Sequence, residues 1–218
     1  MEHIITDSLP AREVNAHVSV DCVLLGFDSK ELKVLLVRQK NLDGSYMTPN
    51  YKLPGSLIFM DEDLDEAAKR VLNELTGLSQ VKMTQFQAFG GINRLANETD
   101  SAWLERFHHL DNHPTRVVTI AYLSLLRILP RHTHLDHSYE AQWVAINQLP
   151  PLAFDHEDII QHAVQRVRDI ATLTPTRLFE LLPRKFTIAQ IHHLFETIQG
   201  KRIDIRNFHK KIQAQPYI

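Results

Sequence analysis

LPGSLIFMDEDLDEAAKRVLNELTGL, residues 53–78, decides how the rest of the chain is read. Its second half is one amphipathic helix. Leu64, Ala67, Ala68, Val71, Leu72 and Leu75 recur at three- and four-residue intervals and form a single apolar stripe. Asp63 followed by Glu66 supplies a capping box at the start, and Gly77 a left-handed residue at the end. Leu53-Pro54-Gly55 closes an extended run with a turn. The unit is strand, loop, helix.

Outward from that unit, residues 17–27 (HVSVDCVLLGF) and 32–38 (LKVLLVR) read as a β-hairpin across a polar break. Residues 41–50 are polar loop. Further strands are expected over 81–91, 116–126 (RVVTIAYLSLL) and 141–146. Between Arg94 and Arg116, Trp103, Leu104 and Phe107 stand at helical spacing, which suggests a short helix that lids a pocket or meets a partner. Pro150-Pro151 ends the strand region. Asp155 then caps a helix with Ile159, Ile160, Ala163, Val167 and Ile170 as its stripe, expected to connect two domains.

The last segment holds two short helices. Thr187 and Gln190 make a capping box; Ile188, Ile191, Phe195 and Ile198 face inward; Gly200 terminates the first helix. Asp204 caps the second, whose core stripe is Ile205, Phe208 and Ile212, with His209 at its edge. Arg206, Asn207, Lys210 and Lys211 fall on the opposite side, preceded by Lys201 and Arg202 in the turn. A helix-turn-helix sets its second helix in the major groove, where Arg and Asn address base edges and Lys contacts phosphate.

The 218 residues are 44% hydrophobic and 23% charged, enough for a proper core. The single Cys22 excludes an internal disulfide framework and suits a reducing cytosol. The N-terminus lacks the pattern of a signal peptide, and no apolar run approaches the ~18 residues of a membrane span. The expected location is the cytoplasm. The net charge of −2 is divided unevenly: residues 175–218 carry eight Lys/Arg against three acids, or +5, leaving −7 for the remainder. Such asymmetry fits a small segment that meets a polyanion. His132, His134 and His137 fit no rigid zinc site, so no metal and no cofactor are assigned.

With its Leu-Pro-Gly start and Thr-Gly-Leu end, the stretch 53–78 resembles the Nudix box. Glu62, Arg70, Leu72, Glu74, Gly77 and Leu78 match that pattern, Ser56 falls on its glycine, and Val71 and Leu75 stand where the family's hydrolases carry carboxylates. Mg²⁺ needs hard oxygen ligands, and only Glu74 remains acidic on that helix face. The resemblance implies an α/β/α sandwich with a mixed sheet that has lost, or nearly lost, hydrolase activity. The last segment, with FDH at 154–156 and LLPRKFT at 181–187, resembles the winged-helix domain of Nudix-related transcriptional regulators of the NrtR and AraR type. AAKRVLNELTGL at 67–78 and RNFHKKI at 206–212 look especially like the arabinose-responsive branch.

The division implied is an arm (1–16), a degenerate Nudix domain (17–155), a connecting helix (156–174) and a small, mostly α winged-helix domain (175–218). Relatives continue into a β-hairpin wing whereas the sequence stops at Ile218, so the wing is expected to be missing. Implied partners are a palindromic double-stranded DNA operator, a second copy of the chain, and a small effector that releases the DNA. The effector is a sugar such as L-arabinose or another pentose, or ADP-ribose, with the degraded ion site favouring a sugar. Candidate effector-binding groups are Arg38, Lys52, Glu62, Glu74, Arg94 and Arg116; candidate DNA-binding groups are Lys201, Arg202, Arg206, Asn207, Lys210 and Lys211. The competing class is a Mg²⁺-dependent nucleotide-sugar pyrophosphatase that uses Glu62 and Glu74. Each charged group, taken alone, reads more readily as a structural or solvated surface charge, and it is the set that points to binding.

Overall fold

Strict alternation along one long strand builds both faces of the molecule. In the computed structural model, which describes residues 12–39, 45, 51–96, 100, 116–128 and 139–213, that strand is β1 (Val14–Phe27). Its even-numbered Val20, Cys22 and Leu24 enter one apolar body with Ala67, Ala68, Val71 and Leu72. Its odd-numbered Val23, Leu25 and Phe27 enter another with Ile159, Ile160, Ala163 and Val167. Successive side chains of a strand point to opposite faces, so a strand covered on both sides reads as an unbroken apolar run.

The other strands are β2 (Leu32–Gln39), β3 (Gly55–Phe59), β4 (Thr84–Phe89), β5 (Val118–Arg127) and β6 (Tyr139–Ala145). The sheet order is β4-β5-β1-β2-β6, with β3 off that path and paired to β1. β1 and β5 run parallel, Val18 opposite Val118 through Phe27 opposite Arg127; the remaining pairings are antiparallel. The expected hairpin is present, with Leu25 opposite Val34 and Phe27 opposite Leu32. β4 is shorter than the expected 81–91.

One face of the sheet is covered by α1 (Leu64–Thr76), which has both halves of the Asp63/Glu66 capping box and ends on Gly77 at φ 64°. The other face is covered by α2 (His156–Leu173). The expected stripe of α2 is buried, along with His156, Val164 and Ala171, so this helix is a layer of the sandwich as well as a link. Asp155 does not cap it: its side chain makes no capping hydrogen bond and pairs with Arg94 instead.

A 3₁₀ turn (Pro175–Leu181) leads to α3 (Ile188–Gln199) and α4 (Ile205–Gln213). Thr187 and Gln190 form the expected box, and Gly200 is left-handed at φ 64°. The Asp204 Oδ1 accepts the Asn207 N–H at 2.8 Å, the expected cap. Ile205 corrects the expected stripe: Phe208 and Ile212 are buried, but Ile205 is 51% exposed. Leu178, Leu181, Ile191, Leu194, Ile198, Phe208 and Ile212 belong to the same apolar body as Val23 and Ile159. The expected helix around Trp103–Phe107 lies outside the described residues, as do His132, His134 and His137. Among the described residues, no helix is long and apolar enough to cross a membrane.

Candidate functional site

The loop between β3 and α1 is organised by one guanidinium. Glu62 accepts the Phe59 N–H at 2.9 Å and pairs with Arg70 through both oxygens, at 2.5 and 2.9 Å. Arg70 also donates to the Leu57 carbonyl at 3.2 Å and reaches Glu74 at 3.0 Å. Arg12 lies 3.5 Å from Glu62 and chelates Asp61. Both guanidinium carbons stand 4.2 Å from the centre of the Phe59 ring. Burial pushes the Glu62 carboxyl up, but Arg70, the Phe59 amide and Arg12 outweigh it and hold it below its ordinary value.

Val71 and Leu75 complete that helical turn and point into the core, at 0% and 7% exposure. The face that would converge on a cation is therefore split. Its aliphatic members are interior, and Glu74, its remaining acid, is tied to Arg70 across a four-residue step. What this helix face offers a Mg²⁺ ion is thus Glu74 and, from the loop, Glu62, both already paired with Arg70, where such an ion is usually held by one or two carboxylates together with substrate phosphates and water.

A second cluster sits where α2 begins. Asp21 occupies an inward position of β1, in line with Val23 and Leu25, and alternation alone would put an apolar residue there. Its Oδ2 accepts from Arg94 at 2.9 Å and its Oδ1 lies 3.3 Å from Nε2 of His156. The His156 Nδ1 accepts the Leu53 N–H at 2.9 Å, and Arg94 also pairs with Asp155. A Cβ on Gly55 would stand 1.8 Å from Asp21 Oδ1, so the box loop closes on this carboxylate only with glycine there. Phe154 takes the left-handed φ of 58° with its N–H donating to Asp100 Oδ1 at 2.9 Å. Such a backbone costs roughly 1–3 kcal/mol and persists only when its surroundings fix it.

Burial alone would raise the Asp21 carboxyl; His156, Arg94 and Thr119 outweigh it and hold it below the usual carboxylate range. A carboxyl whose folded pKa is depressed contributes stability present above its unfolded value and lost as pH falls through the folded one. Urea titrations of the wild type are therefore expected to lose stability below about pH 4 more steeply than those of Asp21→Asn. Equal slopes would remove Asp21 from the acid limb.

The six candidate effector groups do not converge. Glu62 and Glu74 meet through Arg70. Arg94, expected as a ligand group, is buried and paired with Asp21 and Asp155. Lys52 is also buried and donates to the Gly55 carbonyl; burial brings its ammonium down to about 8, against the opposing pull of Asp21 and Cys22. Arg38 pairs with Glu140 at 2.8 Å across the β2–β6 ladder, and exposed Arg116 donates to the Gly90 carbonyl at 3.1 Å. Sequence reading missed Asp21 and His156; the available signal was a carboxylate at a core-facing step of an otherwise apolar strand.

In the helical module, Lys201, Arg202, Arg206, Asn207 and Lys210 are exposed; the side chain of Lys211 lies outside the described residues. The turn before α4 is tied to α3: Ile203 donates to Glu196 at 2.8 Å, and the His192 Nε2 stands 2.8 Å from the Ile203 carbonyl. Phe208 packs edge-on against Phe195 and His192. The basic side chains thus ride on a fixed pair of helices.

A mixed-sheet sandwich with a box-like strand-loop-helix, joined to a basic helix pair, defines the class of Nudix-related transcriptional regulators. The chain belongs to the Nudix family: the NUDIX domain model matches residues 15–163, and a model for the NrtR DNA-binding winged helix domain matches residues 178–218. An ADPR-responsive transcriptional repressor, NtrR, of Acinetobacter baylyi is 26% identical over 200 residues, 89% of this chain and 71% of that protein. An ADP-ribose pyrophosphatase of Methanocaldococcus jannaschii is 28% identical over 137 residues, 62% of this chain and 68% of that protein. The crystal structure of Shewanella oneidensis NrtR aligns with TM-score 0.65 at 26% identity, covering 90% of this chain and 84% of that one. The same relative in complex with a 27mer DNA gives 0.64 at 25% identity, covering 90% and 82%. Its Nudix domain with ADP ribose gives 0.52 at 25%, covering 70% and 89%.

Proposed function

We propose that the chain is an operator-binding repressor whose Nudix domain senses ADP-ribose without hydrolysing it. The observation that carries this reading is the split box helix: Val71 and Leu75 are core residues, and Glu62 and Glu74 are bound to Arg70. Of the two effectors expected from sequence, the named relatives speak for ADP-ribose and none of them for a pentose. The output is the α3–α4 pair, presented by a homodimer to the two halves of a palindromic site. Transmission runs through α2. Its first turn touches the box loop through His156 and Leu53, and its Arg168 donates to the Ile198 carbonyl at the end of α3 at 3.1 Å. An effector shifts the population by no more than its differential affinity for the two arrangements.

Fluorescence anisotropy on duplexes enriched from a random pool tests this. Binding is expected to weaken steeply with salt, to be released by ADP-ribose, and to be unaffected by L-arabinose. Arg202→Ala and Lys210→Ala are each expected to reduce the log–log salt slope by about one. The competing reading, favoured by the pyrophosphatase relative, predicts Mg²⁺-dependent AMP formation from ADP-ribose that Glu74→Gln abolishes. Robust turnover of that kind overturns the sensor reading.

A further inference from the structure

Resting on the assignment of α4 as the helix that enters DNA, we propose that Ile205 reads thymine in the major groove through the 5-methyl group of the base. The periodicity of α4 places Ile205 in one stripe with Phe208 and Ile212. The structure buries those two at 6% and 7% exposure and leaves Ile205 at 51%. The isoleucine that packs against the core here is Ile203 in the turn before it, partly buried and bonded through its backbone to Glu196 and His192.

Ile205 is the first residue of α4, directly after the capping Asp204. Its neighbours in the chain, Arg206 and Asn207, are exposed, as are Lys201 and Arg202 in the turn. The first turn of a DNA-reading helix is the part that reaches base edges. A branched aliphatic side chain offers those edges no hydrogen bond. The thymine methyl is the apolar group that the major groove displays, and it distinguishes thymine from the other bases. Ile also has lower helix propensity than Leu, Lys or Glu at such a position, so local helix stability does not call for it.

The test uses the full chain and duplexes it enriches from a random pool. Each thymine is replaced in turn by deoxyuridine, which lacks only the methyl. At one thymine per half-site the replacement is expected to weaken the wild type about fourfold, the effect of losing one buried methyl. The same replacement leaves Ile205→Ala unchanged, because the contact is already gone. Ile205→Val keeps most of the sensitivity, and thermal melts show all three proteins folded alike. Two results overturn the assignment: a wild type indifferent to every thymine methyl, or an Ile205→Ala variant as sensitive as the wild type. So does a change of oligomeric state in Ile205→Ala, which makes the side chain a subunit contact. Failure of the wild type to enrich any duplex instead defeats the DNA-binding reading on which the assignment rests.

Discussion

Arg94→Met is expected to lower the unfolding free energy by about 3–5 kcal/mol, the cost of leaving a buried charge without its partner. Arg94 and Asp21 have side chains only 5% and 4% exposed, and their contact at 2.9 Å joins the loop after β4 to the middle of β1. Methionine keeps much of the volume, so the loss reports charge rather than a cavity. Asp155 loses the same cation, and the guanidinium that stands 5.9 Å from the Phe154 ring is gone. Phe154 would then hold its left-handed backbone with less support. Urea denaturation measures the loss, and the double variant Asp21→Asn/Arg94→Met should recover a large part of it, because the stranded carboxylate is then neutral. The comparison is Arg38→Ala at the partly exposed Arg38–Glu140 pair, which should cost about 0–1 kcal/mol. A loss from Arg94→Met as small as that would mean the cluster is not the keystone of this end of the sheet.

Val71→Glu should damage the fold and confer no metal chemistry. The substitution restores a family carboxylate, but Val71 is fully buried beside Val20, Cys22 and Leu24. A lone carboxylate there must stay protonated or force the helix out of its seat, a penalty of several kcal/mol once ionised. Its folded pKa would be raised. The variant should therefore be nearest to wild type below the unfolded value, about pH 4.3, and lose stability as the pH rises toward 8. Mg²⁺ should not recover the loss. Parallel melts at pH 5 and pH 8, with and without the ion, decide the matter. A rise in Tm on adding Mg²⁺, or ADP-ribose turnover by the variant, would show that the helix can rotate to present this face after all.

What was legible from sequence was what is local. The stripe of α1, its capping box, the left-handed Gly77 and Gly200, and the Thr187 box all depend on residues within a few positions of one another, and all are present. The hairpin and the strand expected over 116–126, observed as Val118–Arg127 with most of its side chains buried, were legible for the same reason. The Asp21 cluster was not. Its members are brought together by tertiary folding: Arg94 lies 73 residues from Asp21, and His156 lies 103 from Leu53. No spacing rule connects them, so Arg94 read as a ligand group and Asp155 as a cap. Ile205 failed differently. Helical period alone does not say that Ile203, in the turn, packs against the core while Ile205, on the stripe, stays exposed.

The apolar body that runs from Val23 on the sheet through Ile159 to Ile191 and Ile212 has a mechanical consequence. The helical module shares its interior with the sheet, as a separately folded bead on a tether would not. Its aim is set by the seat of α2 on the sheet, and a shift of that helix by a fraction of a turn would redirect α4 as a lever redirects its tip. In the homodimer proposed above, two such levers would diverge together. A displacement too small to notice beside the box would then become a misfit with the pitch of the double helix.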